Sequence, residues 1–219
     1  MNDPIRLYLG TRNAKKLREL AQLINPPWES NARLGRLDVH SLDAHPDLAD
    51  VVEDATTFAD NAAKKASEVA LALNAWVLAD DSGLAVDALN GAPGVMSARY
   101  AGTHGDDGAN NLKLLADLAE IPESRRGAAF VCALALADPT GAIRLEAEGA
   151  CRGRIIREGN GEGGFGYDPL FLIPEYHKTF AQMGALAKHQ LSHRARAFSK
   201  LRPMLDRLIA TGAMDGPAS

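Results

Sequence analysis

Hydrophobic positions recur along this chain with two periods, and the switches between them mark the predicted elements. Ile5-Arg6-Leu7-Tyr8-Leu9-Gly10 is a short apolar run that predicts a first strand. Leu17, Leu20, Ala21 and Ile24 then fall at helical spacing, and Pro26-Pro27 ends that helix. Leu37 to Leu42 alternates, which predicts a short strand. Phe58, Ala62, Ala66, Val69, Ala70 and Leu73 form the stripe of a second helix that opens at Thr56 or Thr57. Asp60, three residues after Thr57, makes a short version of a capping box. Asn61, Lys64 and Lys65 lie off the stripe.

Residues 75–79 are small or apolar and predict a buried strand. It is expected to end at Asp80-Asp81-Ser82-Gly83 in a polar turn, with another strand over 84–89. Asn90-Gly91-Ala92-Pro93-Gly94 is a strong turn signal. A helix over 106–119 is expected to bury Leu112, Leu115 and Leu118. From residue 128 the period falls to two. Residues 129–137 predict a strand, Asp138-Pro139-Thr140-Gly141 a turn, and 143–149 a half-exposed antiparallel partner that 151–156 can extend. The last helix, 186–211, carries Leu191, Ala195, Phe198, Leu201, Leu205 and Leu208, with Pro203 as an expected kink or break. Residues 214–219 are expected to fray. A βαβ-like first part followed by a hairpin lobe makes the fold class α/β.

Composition narrows the function classes. The 219 residues suit one domain, or one domain of two lobes, and 46% hydrophobic with 24% charged residues is ordinary for a globular protein. A formal net charge of −4 argues against a general nucleic-acid or membrane-surface binder. The two cysteines, Cys132 and Cys151, lack metal-ligand spacing and fit a reduced, cytoplasmic protein. No secretory leader pattern and no run of about 18 apolar residues is expected.

Several stretches offer chemistry. Asp80-Asp81, at the carboxyl end of a strand, is either a strand end with a turn or a divalent-metal and water-activating pair. Thr11-Arg12-Asn13-Ala14-Lys15-Lys16 spans a strand-to-helix turn with Asn13 as a cap. Its amides, the helix dipole and its lysines favour an anion, although a capped surface helix explains it equally. It is not a Walker A loop. Glu53 and Asp54 either serve the dipole of the next helix or, for Glu53, reach the same cation as Asp81. Residues 159–169 are glycine-dense, which lets backbone approach a ligand. There Phe165 or Tyr167 could stack on a base and Asp168 could accept a donor. Lys188, His193 and Arg194 open the last helix and read blindly as a solvated basic face. His40 and His45 read as surface residues.

Together, and in this order, these segments resemble the inosine/xanthosine triphosphate pyrophosphatase family over nearly the whole chain. The match rests on Thr11 to Lys16, Thr57-Phe58-Ala59-Asp60-Asn61-Ala62, Asp80-Asp81-Ser82-Gly83-Leu84, Gly91-Ala92-Pro93-Gly94, Ser97-Ala98-Arg99-Tyr100, Gly163 to Pro169 and Ser192-His193-Arg194. The resemblance implies a two-lobed fold with a long mixed β-sheet flanked by helices. It implies one such domain over the whole chain, with lobe boundaries near 85–105 and 175–190 and a nucleotide cleft between the lobes. It further implies a homodimer, Mg2+ dependence, and hydrolysis of ITP, dITP and XTP to the monophosphate and pyrophosphate. By position it makes Asp81 the general base and a metal ligand, with Glu53 as second metal ligand and Asp80 as support. Thr11, Arg12, Asn13, Ala14, Lys15 and Lys16 become triphosphate contacts. Ser82, Phe165, Gly166, Tyr167, Asp168, Lys188, His193 and Arg194 become nucleotide and base contacts. Arg194 or protonated His193 would donate to the 6-keto oxygen of hypoxanthine or xanthine, where adenine presents a donor instead.

Two departures stand out. Asp60 replaces a usual Glu, and Gln182-Met183 with Ala187 replaces an acidic context before Lys188. Two other readings are a pyrophosphatase for modified pyrimidine nucleotides and a nucleotide-binding regulatory module without turnover. The intact Asp80-Asp81 pair and Lys16 argue against the latter.

Overall fold

The computed structural model describes residues 4–26, 37–184, 187 and 190–215. Among these, seven strands form one sheet: β1 (Ile5–Leu9), β2 (Leu37–His40), β3 (Trp76–Val86), β4 (Gly127–Ala137), β5 (Ile143–Ile155), β6 (Phe171–Ile173) and β7 (Lys178–Thr179). The helices are α1 (Ala14–Ile24), α2 (Phe58–Leu73), α3 (Asp107–Asp117) and α4 (His193–Ala210). The strand order is β2-β1-β3-β4-β5-β6-β7. β1 runs parallel to both neighbours, with Ile5 opposite Leu37 and Leu7 opposite Trp76. β6 runs antiparallel to β5 and β7. The sheet is therefore mixed, as the resemblance implied. β4 and β5 are joined by a turn too short for a crossover. Asp138 N–H donates to the Ala142 carbonyl at 3.0 Å, and Asp138 Oδ1 accepts from Thr140 N–H and Oγ1.

The chain packs as two compact units. The first comprises the described residues up to Asp81, with Ala133–Glu148 and those from Ala197 onward; the second comprises Ser82–Cys132 and Gly149–Arg196. Each has its own core. In the first, Ala62, Ala66, Val69 and Ala70 of α2 pack with Tyr8, Val77 and Ala79. In the second, Phe130, Phe171 and Phe180 form an aromatic cluster with Leu114, Leu118 and Tyr167.

Four sequence expectations change. β3 does not stop at the acidic pair; it runs unbroken from Trp76 to Val86, and only Ser82 and Ala85 along it are less than buried. Gly83 is a close-approach glycine rather than a turn residue. A Cβ there would lie 2.3 Å from Ser97 Oγ and 2.7 Å from the Gly94 carbonyl oxygen. That hydroxyl is committed, accepting from Leu84 N–H at 2.9 Å and donating to the Gly94 carbonyl at 2.6 Å. Gly83→Ala is therefore expected to lower stability by about 1–3 kcal/mol, the usual cost of forcing a methyl into a filled site. Thermal melting would read this as a clear drop; an unchanged midpoint would contradict it.

Leu112 is 72% exposed instead of buried. The inward face of α3 is Asn110, Leu114 and Leu118, at spacings of four. It is fixed by Asn110, whose Oδ1 accepts from Ala101 N–H and whose Nδ2 donates to the Ala98 carbonyl. Asn61 lies off the apolar stripe by composition yet is 1% exposed. Finally, α4 continues through Pro203, which is exposed. Leu201, Leu205 and Ile209 are buried around it and hold the helix despite the lost backbone bond. The predicted start of that helix at 186 falls outside the described residues.

Candidate active site

In the first unit, β1 ends with Gly10 N–H bonded to the Leu78 carbonyl of β3 at 2.8 Å. The chain then turns through residues 11–13 into α1. Asn13 is the cap, its Oδ1 accepting from Lys15 N–H at 3.0 Å and Lys16 N–H at 3.2 Å. Thr11 is buried and its Oγ1 accepts from Asn13 N–H. The amides expected to receive an anion are thus partly engaged by the turn's own side chains. Ala14 and Lys15 are exposed at the start of the helix. Lys16 leans back to the sheet, its Nζ 3.3 Å from Asp80 Oδ2.

Arg12 does something else. Its guanidinium bonds Asp50 Oδ1 at 2.9 Å and the carbonyls of Leu42, His45 and Leu48. The sequence placed it with the triphosphate contacts. The geometry ties it to the segment over residues 42–50.

The acidic pair sits within β3, where neighbours point to opposite faces. Alternation gives the two carboxylates different partners. Asp80, with no exposed surface, pairs with Lys16, while Asp81 Oδ2 accepts from Asn61 Nδ2 at 3.0 Å. Asn61 Oδ1 accepts in turn from Ala55 N–H at 3.0 Å, just beyond Glu53. Lys65, one turn further along α2, forms an ion pair with Glu53 and donates to the Asp80 carbonyl at 3.0 Å.

Burial pushes the Asp81 carboxyl above the ordinary carboxylate range. Lys16 opposes that shift, Glu53 adds to it, and Lys65 and the Asn61 hydrogen bond oppose it. Burial alone would lower the Lys65 ammonium, but Asp80, Glu53 and Asp81 outweigh it and raise it. The result is a buried carboxylate set among Lys16, Lys65 and Glu53.

A hard divalent cation fits the chemistry of this donor set. Glu53 and Asp81 offer carboxylate oxygens, and the Lys65 ammonium is already drawn to the acids. Among the described residues no three His, Cys, Asp or Glu side chains converge as a ligand set. Mg2+ is a cation of this class that takes one or two carboxylates and completes its shell with water and substrate phosphate.

In the second unit, residues 163–168 form a glycine-rich turn held by its own side chains and by α3. Asp168 Oδ2 accepts from Phe165 N–H at 2.8 Å. Asp107 Oδ2 accepts from Gly166 N–H at 2.8 Å, and Asn111 Nδ2 donates to the Gly166 carbonyl at 2.9 Å. Gly166 has φ +60°, a conformation that favours glycine. Tyr167 and Asp168, expected to meet the nucleotide, are buried, and the Tyr167 hydroxyl donates to the Ser97 carbonyl at 2.9 Å. Phe165 and Gly166 keep part of their surface exposed.

His193 and Arg194 are not a solvated face. His193 stacks on Phe130 with ring centroids 5.0 Å apart and planes 16° from parallel. Arg194 is 1% exposed and donates from Nη2 to Ser82 Oγ at 2.9 Å. Lys188 lies outside the described residues. Of the sequence departures, Asp60 accepts from the Thr57 hydroxyl at 2.6 Å, and Gln182 closes a capping box with Thr179.

Sequence reading missed Asn61 and Lys65 because a polar residue off an apolar stripe looks solvated. Their separation of four, with Glu68 three further on, marks a second, polar face of α2 and was the available signal. It also missed Asp107, Asn111 and Phe130, whose roles depend on contacts with residues far away in the chain.

Comparisons with known proteins agree with one another. The Rhodopirellula baltica protein named dITP/XTP pyrophosphatase is 55% identical over 213 residues, covering 97% of this chain and 99% of that protein. The solved structure of the Staphylococcus aureus Ham1 protein superposes with TM-score 0.79 at 37% identity, covering 92% of this chain and 98% of the other. The Mycobacterium abscessus structure described as nucleoside-triphosphatase / dITP/XTP pyrophosphatase has TM-score 0.72 at 43% identity, covering 91% of this chain and all of that one. With the Ham1 family's sequence model matching residues 7–204, the chain belongs to the Ham1 family.

Proposed function

We propose that this protein is a Mg2+-dependent nucleoside triphosphate pyrophosphatase that hydrolyses non-standard purine nucleotides, ITP, dITP and XTP, to the monophosphate and pyrophosphate. Its class, a hydrolase acting on nucleoside triphosphate anhydride bonds, follows from the family and from relatives named dITP/XTP pyrophosphatase. The single observation that carries the chemical reading is Asp81. It is a buried carboxylate with a raised affinity for protons, held at a fixed orientation by Asn61 and flanked by Lys16 and Lys65.

In the reaction, water attacks the α-phosphorus, and the bond from that phosphorus to the oxygen bridging to the β-phosphate breaks. The water proton passes to Asp81, and pyrophosphate leaves. Lys16 and Lys65 offset charge on the phosphate oxygens. Glu53 and Asp81 would hold Mg2+, which when bound supplies charge withdrawal from those oxygens. Asp80 acts through Lys16, whose ammonium it holds. The nucleoside is assigned to Phe165, His193 and Arg194, on the motif match.

A homodimer and a cytoplasmic location belong to the same proposal and rest on the resemblance. Among the described residues no helix is long and apolar enough to cross a membrane. The test is a substrate panel of ITP, dITP, XTP, GTP, ATP, dUTP and a modified pyrimidine triphosphate, with and without Mg2+ and with products resolved. Pyrophosphate released from the inosine and xanthosine nucleotides in preference to ATP and GTP is expected. Phosphate release, a pyrimidine preference, or tight nucleotide binding without turnover would overturn the proposal.

A further inference from the structure

Glu53 lies in a long stretch with no strand or helix of its own. After the 3-10 turn Leu42–Ala44 the chain passes through residues 45–57 before α2 begins. The stretch closes two turns of its own, His45 N–H to the Leu42 carbonyl and Leu48 N–H to the His45 carbonyl, and side chains from elsewhere add to these. On the downstream side α2 holds it through side chains: Asn61 Oδ1 accepts from Ala55 N–H, Lys64 pairs with Asp54 at 2.6 Å, and Lys65 pairs with Glu53. On the upstream side the anchor is Arg12. One planar fork reaches the carbonyls of Leu42 at 3.5 Å, His45 at 3.1 Å and Leu48 at 2.7 Å, as well as Asp50 three residues before Glu53. Leu48 and Val51 add apolar contact to the same core.

We propose that Arg12 is a positioning residue: it fastens the 42–50 segment to the turn that carries Asn13 and Lys16, and so sets where Glu53 stands relative to Asp81. The inference rests on the proposed metal role of Glu53. Its physical basis is independent of that role. The Asp50 side chain is 84% exposed, so its ion pair with Arg12 is screened and weak. The three carbonyls carry the tether, and only a guanidinium can serve acceptors spread over seven residues. Lysine, with a compact ammonium, reaches one at a time. Arg12 is thus joined in sequence to the lysine-bearing turn and in space to the segment that leads to Glu53.

The test compares Arg12→Ala, Arg12→Lys and Asp50→Asn with the wild-type protein in two measurements. In backbone hydrogen exchange resolved by peptide, Arg12→Ala is expected to raise exchange across residues 45–54 by about tenfold, the loss expected for charge-assisted bonds, with β3 and α2 unchanged. In pyrophosphate-release assays on ITP, the Mg2+ concentration giving half-maximal rate is expected to rise by about tenfold in Arg12→Ala, with a smaller change in nucleotide KM. Arg12→Lys should restore little, and Asp50→Asn should resemble wild type. Unchanged exchange over 45–54 overturns the tether. A rise in KM with unchanged Mg2+ dependence overturns the positioning role and makes Arg12 a substrate contact. Asp50→Asn matching Arg12→Ala overturns the argument from the carbonyls. If the wild-type protein releases no pyrophosphate, the proposed function fails, while the exchange measurement still decides the tether.

Discussion

Asp81→Asn is expected to reduce turnover of ITP by about 10³-fold while leaving the protein folded, because it removes the proton acceptor and one of the two carboxylates proposed to hold Mg2+. The amide is nearly the shape of the carboxylate, and its oxygen can still accept from Asn61 Nδ2, which lies 3.0 Å from Asp81 Oδ2. Stability should move the other way from activity. The folded-state affinity of Asp81 for protons is raised, chiefly by burial. A carboxyl raised in the folded state contributes stability below its unfolded value, near pH 4, and that contribution is lost as pH rises through the folded value. In metal-free buffer at neutral pH the ionised wild-type side chain therefore costs stability that asparagine does not. The variant should melt at the same or a higher temperature at pH 7, with any advantage vanishing on acidification to about pH 4. Rate assays and melts across that range check both halves. Wild-type turnover by the variant would remove Asp81 as the base. A lower melting temperature at pH 7 would mean that its charge is a net contributor to the fold.

Arg194→Ala should show a large loss of base discrimination. If the guanidinium donates to a 6-keto oxygen, adenine offers it no acceptor and leaves it unpaired, which supports strong rejection. The ratio of kcat/KM for ITP over ATP is expected to fall by about 10²-fold. The structure adds a cost that the sequence did not suggest. Arg194 is 1% exposed and bonded to Ser82 Oγ, so its removal empties a buried site. A stability loss of about 1–3 kcal/mol should accompany the kinetic change. Arg194→Lys separates the effects, since it keeps a charge and most of the volume but loses the fork. An unchanged ITP-to-ATP ratio in both variants would defeat the base-clamp idea. A collapsed ratio in a variant that melts like wild type would show that the buried site tolerates the loss.

Local signals were legible where local physics decides. The Asn13 cap, the Thr57 cap and the hairpin turn after Asp138 were readable because each depends on a side chain bonding its own neighbourhood, and the turn at 90–94 because Asn90, Gly91 and Gly94 suit its positive φ angles. Burial of polar groups was not. Asn61 was placed off the apolar stripe and Arg194 on a solvated face, and both are among the least exposed of the described residues. A polar residue is buried when a distant partner satisfies it, and Asp81 lies 20 residues from Asn61 while Ser82 lies 112 from Arg194. The misplaced face of α3 has the same origin. Leu112, Leu114 and Leu115 are equally apolar, and Asn110 chooses among them through its bonds to the Ala98 and Ala101 backbone.

By itself the sequence determined the alternation of elements, their caps and the set of chemical groups from Thr11 to Arg194. Those follow from periodicity, turn chemistry and side-chain type, all short-range properties. Only the tertiary structure decided that Asp80-Asp81-Ser82-Gly83 is the middle of a strand and not its end. Strand continuation there requires the Lys16 ammonium for Asp80, the Asn61 amide for Asp81, the Arg194 guanidinium for Ser82 and the Ser97 hydroxyl crowding Gly83. Each partner comes from another part of the chain, so four letters that read locally as a turn form a buried strand once those partners are in place.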